Sequence, residues 1–352
     1  MKRLSFLSAL CAVLFCVTAN AQEFTSVAQV EKDGTYVDAF NLQGEYLWDA
    51  RGGCGVQIIA RGADKFDFVG YEKGLPGEGW DRSKARFFGQ GELADGKLVV
   101  TGVKMNIPNR GDQADIIFND EQKARKIVIT QEDGKYYFDL GGKKTEAKKV
   151  NRKSETLGKK APEGAIVIFD GKDHGLFDGE FKLSDQQEDA LWSEFRIKPF
   201  ERGKSYELHL EFLLSFMPNA TGQGRSNSGV YIQEEYECQV LDSFGLNGEN
   251  NECGGFYQQL EPEVNMCYPP LTWQTYDFEV TPAKYEDGKK VANAHIVVKH
   301  NGVKIQDAEL AHETPGGKNE ASEAKETTGR GLFLQGHGNK VQYRNIWMKY
   351  KD

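Results

Sequence analysis

The sequence predicts an all-β protein of two domains, the second a two-sheet jelly-roll sandwich. Three observations carry that expectation. Apolar runs of strand length recur along the chain, divided by Gly, Asn and Pro at hairpin-like intervals. Periodicity at 3.6 residues is nearly absent. A charged stretch without aromatics, Lys143 to Ala165, interrupts the runs near the middle of the 352 residues, a length that suits two domains.

The first segment reads as a cleaved leader, residues 1–21. Lys2 and Arg3 precede the apolar run Leu4 to Val17, and Ala19-Asn20-Ala21 gives the small-x-small pattern before Gln22. Export to the periplasm or the medium is expected. Leu10 and Phe15 are too bulky for lipoprotein processing at Cys11 or Cys16. No later run is long enough to span a bilayer. The net charge is −9, and loss of Lys2 and Arg3 makes it more negative, which excludes nucleic acid and anionic membrane as partners. Cys54, Cys238, Cys253 and Cys267 remain, allowing three pairings in an oxidising compartment. Cys253 and Cys267, in one loop-rich region, are the preferred disulfide pair. Without a CxxC, neither a zinc ribbon nor a redox dithiol is indicated.

A small all-β domain is expected over residues 22–147. Its runs include "GCGVQIIARG", "KFDFVGYEKG", "GKLVVTGVKM", "ADIIFND" and "RKIVITQEDGKYYFDLGG". Asp133-Gly134 between two alternating runs signals a hairpin. Trp80, after the turn Gly74-Leu75-Pro76-Gly77, is weighed as core packing against sugar contact. Residues 148–162 read as an exposed linker. Residues 163–352 carry seven or more short strands, among them "SYELHLEFLLSF", "NSGVYIQ", "YECQVLDS" and "VQYRNIWMKY". Asn301-Gly302 marks a type I′ turn. The acidic stretch Gly316 to Gly329 reads as a surface insertion.

Several separated pieces of the second domain match one family: "IVIFDGKD", "SNSGVYIQ…YECQVLDSFG", "CGGFYQQLEPEVNMCYPPLTWQTYDFEV", "HNGVKIQD" and "GLFLQGHGNKVQYRNIWMKY". Together they resemble the 3-keto-disaccharide hydrolase domain family across about residues 163–352. The resemblance implies a concanavalin-A-like jelly roll and an enzyme cleaving 3-keto-glycosides. "KGLPGEGWD" and "SETLGKKAPEGAIVIFDG" resemble an N-terminal extension of some members.

In such a sandwich every second residue of a strand faces a ligand. Along Tyr236 to Leu241 this places Glu237 and Gln239 together, a carboxylate and an amide. Ordinary glycosidases need two carboxylates, and Glu-x-Gln supplies one. A ketone at C3 acidifies the C2 proton, so one base suffices for elimination of the C1 substituent. The resemblance casts Glu237 and His337 as the catalytic pair. Asn227, Tyr231, Gln239, Asp242, Asn265, Trp273, Gln335 and Arg344 are the candidate substrate-binding residues. His337 sits between Gly336 and Gly338, where many relatives have Asp before the histidine. Asp242, Asn247 and Glu249 offer oxygens for calcium, but no EF-hand signature is present, and no cofactor is expected. The remaining histidines, His174, His209, His295, His300 and His312, show no metal-ligand spacing. The alternative is a non-catalytic carbohydrate-binding module, with Trp273, Tyr231 and Tyr257 stacking on sugars.

Overall fold

A computed structural model describes residues 22–49, 52–106, 115–116, 126–287, 289–314 and 331–351. The leader, the insertion at 316–329 and most of "ADIIFND" lie outside the described residues.

Two short helices, α1 (Val27–Asp33) and α2 (Val37–Leu42), open the described chain. Each is under two turns, too short to leave a helical period in the sequence. Among the described residues eight strands longer than two residues follow: β1 (Gly44–Trp48), β2 (Cys54–Ala60), β3 (Lys65–Glu72), β4 (Arg86–Ala94), β5 (Lys97–Asn106), β6 (Ile127–Glu132), β7 (Lys135–Leu140) and β8 (Lys143–Val150). Each pairs antiparallel with the next along the chain, and β8 returns to pair with β1, Glu45 opposite Val150. The smaller domain is thus a closed up-and-down barrel, without free edges. Its interior is filled by Tyr46, Val56, Ile58, Phe66, Phe68 and Phe138, so it is a packed core and not a channel. Asp133 and Gly134 both take positive φ in the β6–β7 turn, as the type I′ hairpin demands.

Of the stretch read as an exposed linker, residues 148–150 are in a strand and residues 151–162 carry no helix or strand. Those three residues close β8, in which Lys143, Lys144, Glu146 and Lys148 are exposed, Ala147 is buried and Lys149 lies over the Tyr46 ring. Hydrogen-bonded neighbours on both sides impose the strand, which composition alone does not favour. After Val150 the chain is pinned to both domains. Arg152 grips Glu45 of β1 with two bonds, Nε to Oε2 at 2.8 Å and Nη2 to Oε1 at 2.6 Å. Thr156 donates to Asp277 Oδ2 at 2.6 Å, and the Gly158 amide donates to Glu211 Oε1 at 2.6 Å. Trp347 Nε1 donates to the Lys159 carbonyl at 3.1 Å. Cleavage needs local unfolding of the backbone, and here that would break several of these bonds. Limited proteolysis should therefore leave 151–159 intact. Rapid cutting there, before any cut elsewhere, would contradict these contacts.

The larger domain is a jelly-roll sandwich. Its large sheet runs in the order β9 (Ile166–Phe169), β18 (Gln342–Tyr350), β11 (Tyr206–Leu213), β14 (Trp273–Thr281), β15 (Ala294–His300) and β16 (Val303–Leu310). The small sheet runs β10 (Phe195–Arg196), β17 (Leu332–Gly336), β12 (Ser228–Ile232) and β13 (Tyr236–Val240). Leu208, Leu210, Phe212, Tyr276, Phe278 and Ile296 from the large sheet meet Val230, Ile232, Cys238 and Leu334 from the small one. Asn301 and Gly302 adopt positive φ between β15 and β16, the expected type I′ turn. The strand pairing of Phe24 with Phe216 ties the start of the described chain to this domain.

The four cysteines among the described residues are free thiols, so the expected Cys253–Cys267 disulfide is not formed. The two thiols are buried side by side, and Cys253 Sγ also meets the Tyr276 hydroxyl at 3.2 Å. Trp80 is buried, with Nε1 donating to the Ala85 carbonyl at 3.2 Å, and so packs in the core.

Candidate active site

On the small sheet, alternation sends Val230, Ile232, Tyr236 and Cys238 into the sandwich. It sends Tyr231, Glu237, Gln239 and Gln335 to the opposite face. Register then brings them together. Tyr231 lies opposite Glu237, while Gly229 lies between Gln239 on one neighbouring strand and Gln335 on the other. Gly229 leaves a gap in this row, and the Glu237 side chain leans across it. A Cβ at Gly229 would collide with Glu237 Oε1.

Tyr231 donates its hydroxyl hydrogen to Glu237 Oε2 at 2.8 Å, and Gln335 Nε2 donates to the Tyr231 oxygen at 3.3 Å. Glu237 is 3% exposed. Burial pushes its carboxyl pKa up to about 7, against the opposing pull of the Tyr231 hydrogen bond. Burial, followed by the neighbouring Glu237 charge, also raises Tyr231, so it stays a hydroxyl donor. Beyond Gln239 the polar row continues. Gln239 Nε2 donates to Asn227 Oδ1 at 3.0 Å, and Asn227 Nδ2 donates to the Gln223 carbonyl at 2.8 Å. Gln239 Oε1 and Gln335 Oε1 are buried and find no partner among the described residues. Two unfilled acceptors beside a carboxyl that titrates near neutrality are what a hydroxyl-bearing ligand would complete.

The outer edge of β13 is not free. Segment 254–257 bonds to it through the Gln239 amide to the Gly255 carbonyl at 2.9 Å and the Tyr257 amide to the Glu237 carbonyl at 3.1 Å. The Glu237 amide itself donates to Thr314 Oγ1 at 2.7 Å. Backbone on both sides thus fixes where the carboxyl points.

Of the residues singled out from sequence, Glu237, Asn227, Tyr231, Gln239 and Gln335 share this face. His337 follows Gln335 by two positions and is exposed on the turn at its rim. Trp273 and Arg344 lie on the outer face of the large sheet, across the sandwich from Glu237. There the Arg344 guanidinium stacks on the Trp273 ring at 4.0 Å and donates to Glu211 Oε2 at 2.7 Å. Neither reaches the Glu237 cluster. Asp242 is held in an ion pair by Arg225 Nε at 2.6 Å, with both side chains buried. Asn265 donates to the carbonyls of Ser243 at 2.7 Å and Leu246 at 3.1 Å, shaping a loop. Asn247, one of the calcium candidates, accepts from Arg86 Nη1 at 2.7 Å, so it and Asp242 each already face a guanidinium. Trp273→Phe should leave turnover unchanged; a loss exceeding that of any Glu237-cluster variant would show that the outer face takes part.

Gly229, Gln223 and Thr314 were not among the sequence candidates. Gly229 carried a usable signal, because an isolated glycine inside a strand pattern marks a close approach. Gly229→Ala should displace the Glu237 carboxyl and lower turnover by about tenfold or more, since misplacing a catalytic group by an ångström is costly. Retained folding by circular dichroism with full activity would remove Gly229 from the site.

The family model for the 3-keto-alpha-glucoside-1,2-lyase-like domain matches residues 138–349. The match takes in all but the last strand residue of the sandwich and leaves out most of the barrel. Among solved structures, the chain is similar to a protein of Parabacteroides distasonis ATCC 8503 provisionally described as a glycosyl hydrolase. Identity is 27%, covering 54% of this chain and 85% of that one, with a TM-score of 0.47. A second protein of that organism, described in the same way, shows 19% identity over 54% of this chain and 95% of its own, with a TM-score of 0.37. No curated protein matches the chain.

Proposed function

The chain belongs to the 3-keto-alpha-glucoside-1,2-lyase-like domain family, and from that membership we propose that it cleaves 3-keto-glycosides, with Glu237 as the base that removes the C2 proton. At the coarser level, the family makes this a carbohydrate-acting domain of glycosidase type. The observation that carries the finer reading is the Glu237 carboxyl. It is buried, held by Tyr231 and shifted to about 7, where a general base is most useful.

The steps balance with residues of this chain. Glu237 takes the C2 proton, and the electrons of that bond form an enolate across C2, C3 and the C3 oxygen. Tyr231, which donates to Glu237, and Gln335, which donates to Tyr231, are assigned to that oxygen. The enolate re-forms the ketone as the C1–oxygen bond breaks, leaving a 1,2-unsaturated 3-keto sugar. His337 at the rim is assigned to protonate the departing oxygen. Water then adds at C1, its proton passing to His337, while Glu237 returns its proton at C2, which completes a net hydrolysis and restores both residues. The unfilled oxygens of Gln239 and Gln335 are assigned to hydroxyls of the sugar.

Incubation with a chemically prepared 3-keto-α-glucoside should release the aglycone and, under rapid quench, show the unsaturated sugar. Binding without any release would favour a carbohydrate-binding module instead. The pH profile gives an independent check. The base works as carboxylate, so kcat/KM should rise with pH through about 7 and level off above it. Stability runs the other way. A raised folded pKa favours the protonated carboxyl, so its contribution is full below the unfolded value and is lost as pH rises through about 7. Glu237→Gln, which stays neutral, should therefore gain stability over the parent most clearly above pH 7. A flat pH profile from 5 to 9 would argue against Glu237 as base.

A further inference from the structure

Between barrel and sandwich runs an open groove that the chemistry above leaves unused. Its larger part, about 940 Å³, lies between the outer wall of β3, β4 and β5 and the turn at Thr221 and Gly222. A smaller part of about 500 Å³ continues along the same wall to the loop at Gly245 to Asn247. Arg61, Asp67, Gln90, Thr101, Leu246 and Glu252 line both parts, so the two are continuous. Spaces of this order between domains are where small molecules bind.

Two chain segments join the groove to the Glu237 cluster. Thr221 and Gly222 line the groove, and the next residue, Gln223, accepts from Asn227 Nδ2 at 3.1 Å and Gln239 Nε2 at 3.3 Å. Glu252 lines it too, and Asn251 before it accepts from Gln223 Nε2 at 2.7 Å. The groove therefore begins where the polar row ends. Asp242, at its margin, is five residues along the chain from Glu237, roughly 16 Å at strand rise. A ligand with one ring over Glu237 and more rings attached would extend into it.

The lining suits such a ligand. Arg61 pairs with Asp67 at 2.5 Å, so these two charges cancel, and Gln90 and Thr101 present an exposed amide and hydroxyl. Arg225 lines the groove with its side chain 2% exposed, and among the described residues its Nη2 has no hydrogen-bond partner. Mixed donors and acceptors of balanced charge fit a neutral polyhydroxylated molecule better than an anion or a cation. The wall is also preorganised. Arg86 stacks over Tyr71, Trp80 and Phe88 and donates to the Leu246 carbonyl at 3.2 Å, fixing the sandwich loop to the barrel.

We infer that the barrel forms a subsite for the leaving group, receiving the saccharide attached at C1 while Glu237 acts on the 3-keto ring. The inference rests on Glu237 as the base of the reaction. Its substrates are then glycosides extended beyond one sugar, and the barrel supplies selectivity that the sandwich alone lacks.

Two substrates test it: methyl 3-keto-α-glucoside and an α-linked trisaccharide oxidised at C3 of its non-reducing glucose. The parent should favour the trisaccharide in kcat/KM, and Gln90→Trp and Thr101→Trp, which fill the groove from exposed barrel positions, should cut that preference by about tenfold, mainly through KM. An equal fall on both substrates, or an unchanged ratio in both variants, overturns the subsite. Calorimetric binding of the unoxidised trisaccharide provides a readout free of turnover. It should weaken by a similar factor in both variants, and equal binding in parent and variants also overturns the subsite. If the parent cleaves neither substrate, the base assignment fails, while the binding comparison still decides the groove.

Discussion

Glu237→Gln should reduce turnover of a 3-keto-α-glucoside by about 10²–10⁴-fold, the usual contribution of a general base. The substitution keeps the size of the side chain and its acceptor for the Tyr231 hydroxyl, and it removes only the capacity to take a proton. KM should change little, because the sugar is held by neighbouring amides and not by basicity. The rising limb near pH 7 should disappear with the carboxyl, which separates loss of the base from general damage to the site. Parent-like turnover in this variant would dismiss Glu237 and make His337 the next residue to examine.

Arg152→Met should destabilise the protein by about 3–5 kcal/mol without touching the chemistry of the site. Arg152 and Glu45 are 7% and 1% exposed at the side chain, and the guanidinium also covers the Tyr268 ring at 4.9 Å. Methionine preserves much of the aliphatic bulk but strands the Glu45 carboxylate among buried groups. Gln57 still donates to Glu45 Oε1 at 2.9 Å, and one neutral donor does not replace a bidentate cation. The double variant Glu45→Leu with Arg152→Met should recover most of the loss, since an apolar pair of similar volume avoids the desolvation of both ions. Chemical denaturation of the three proteins decides it. A single variant as stable as the parent would mean the pair contributes nothing.

The sequence revealed the floor of the site through one alternation. Tyr236, Cys238 and Val240 are apolar on one side and Glu237 and Gln239 polar on the other, and the strand obeys that pattern. The same reasoning could not say which sheet a strand joins. Trp273 and Arg344 alternate correctly and face outward, but from the other sheet, so the alternation they share with Glu237 does not put them on its surface. Asp242 and Asn265 are polar residues absorbed by loop geometry, which single-strand patterns do not register. β8 was hidden by its lysines, because ladder bonds to β1 and β7 determine its conformation and its own residues do not. Gly229 is the opposite case: its contribution is the absence of a side chain.

The pairing of β8 with β1 has a further consequence for folding. Every other junction of the barrel joins consecutive strands, so each can zip as a local hairpin or meander. The last junction sets Trp48 against Ala147 and Glu45 against Val150, about a hundred residues apart. Loop-closure entropy places that contact late. Until β8 docks, β1 keeps one row of amides and carbonyls unpaired, open to strands of other unfolded chains. The charged face of β8, which looked like linker, is the piece that seals this vulnerable edge.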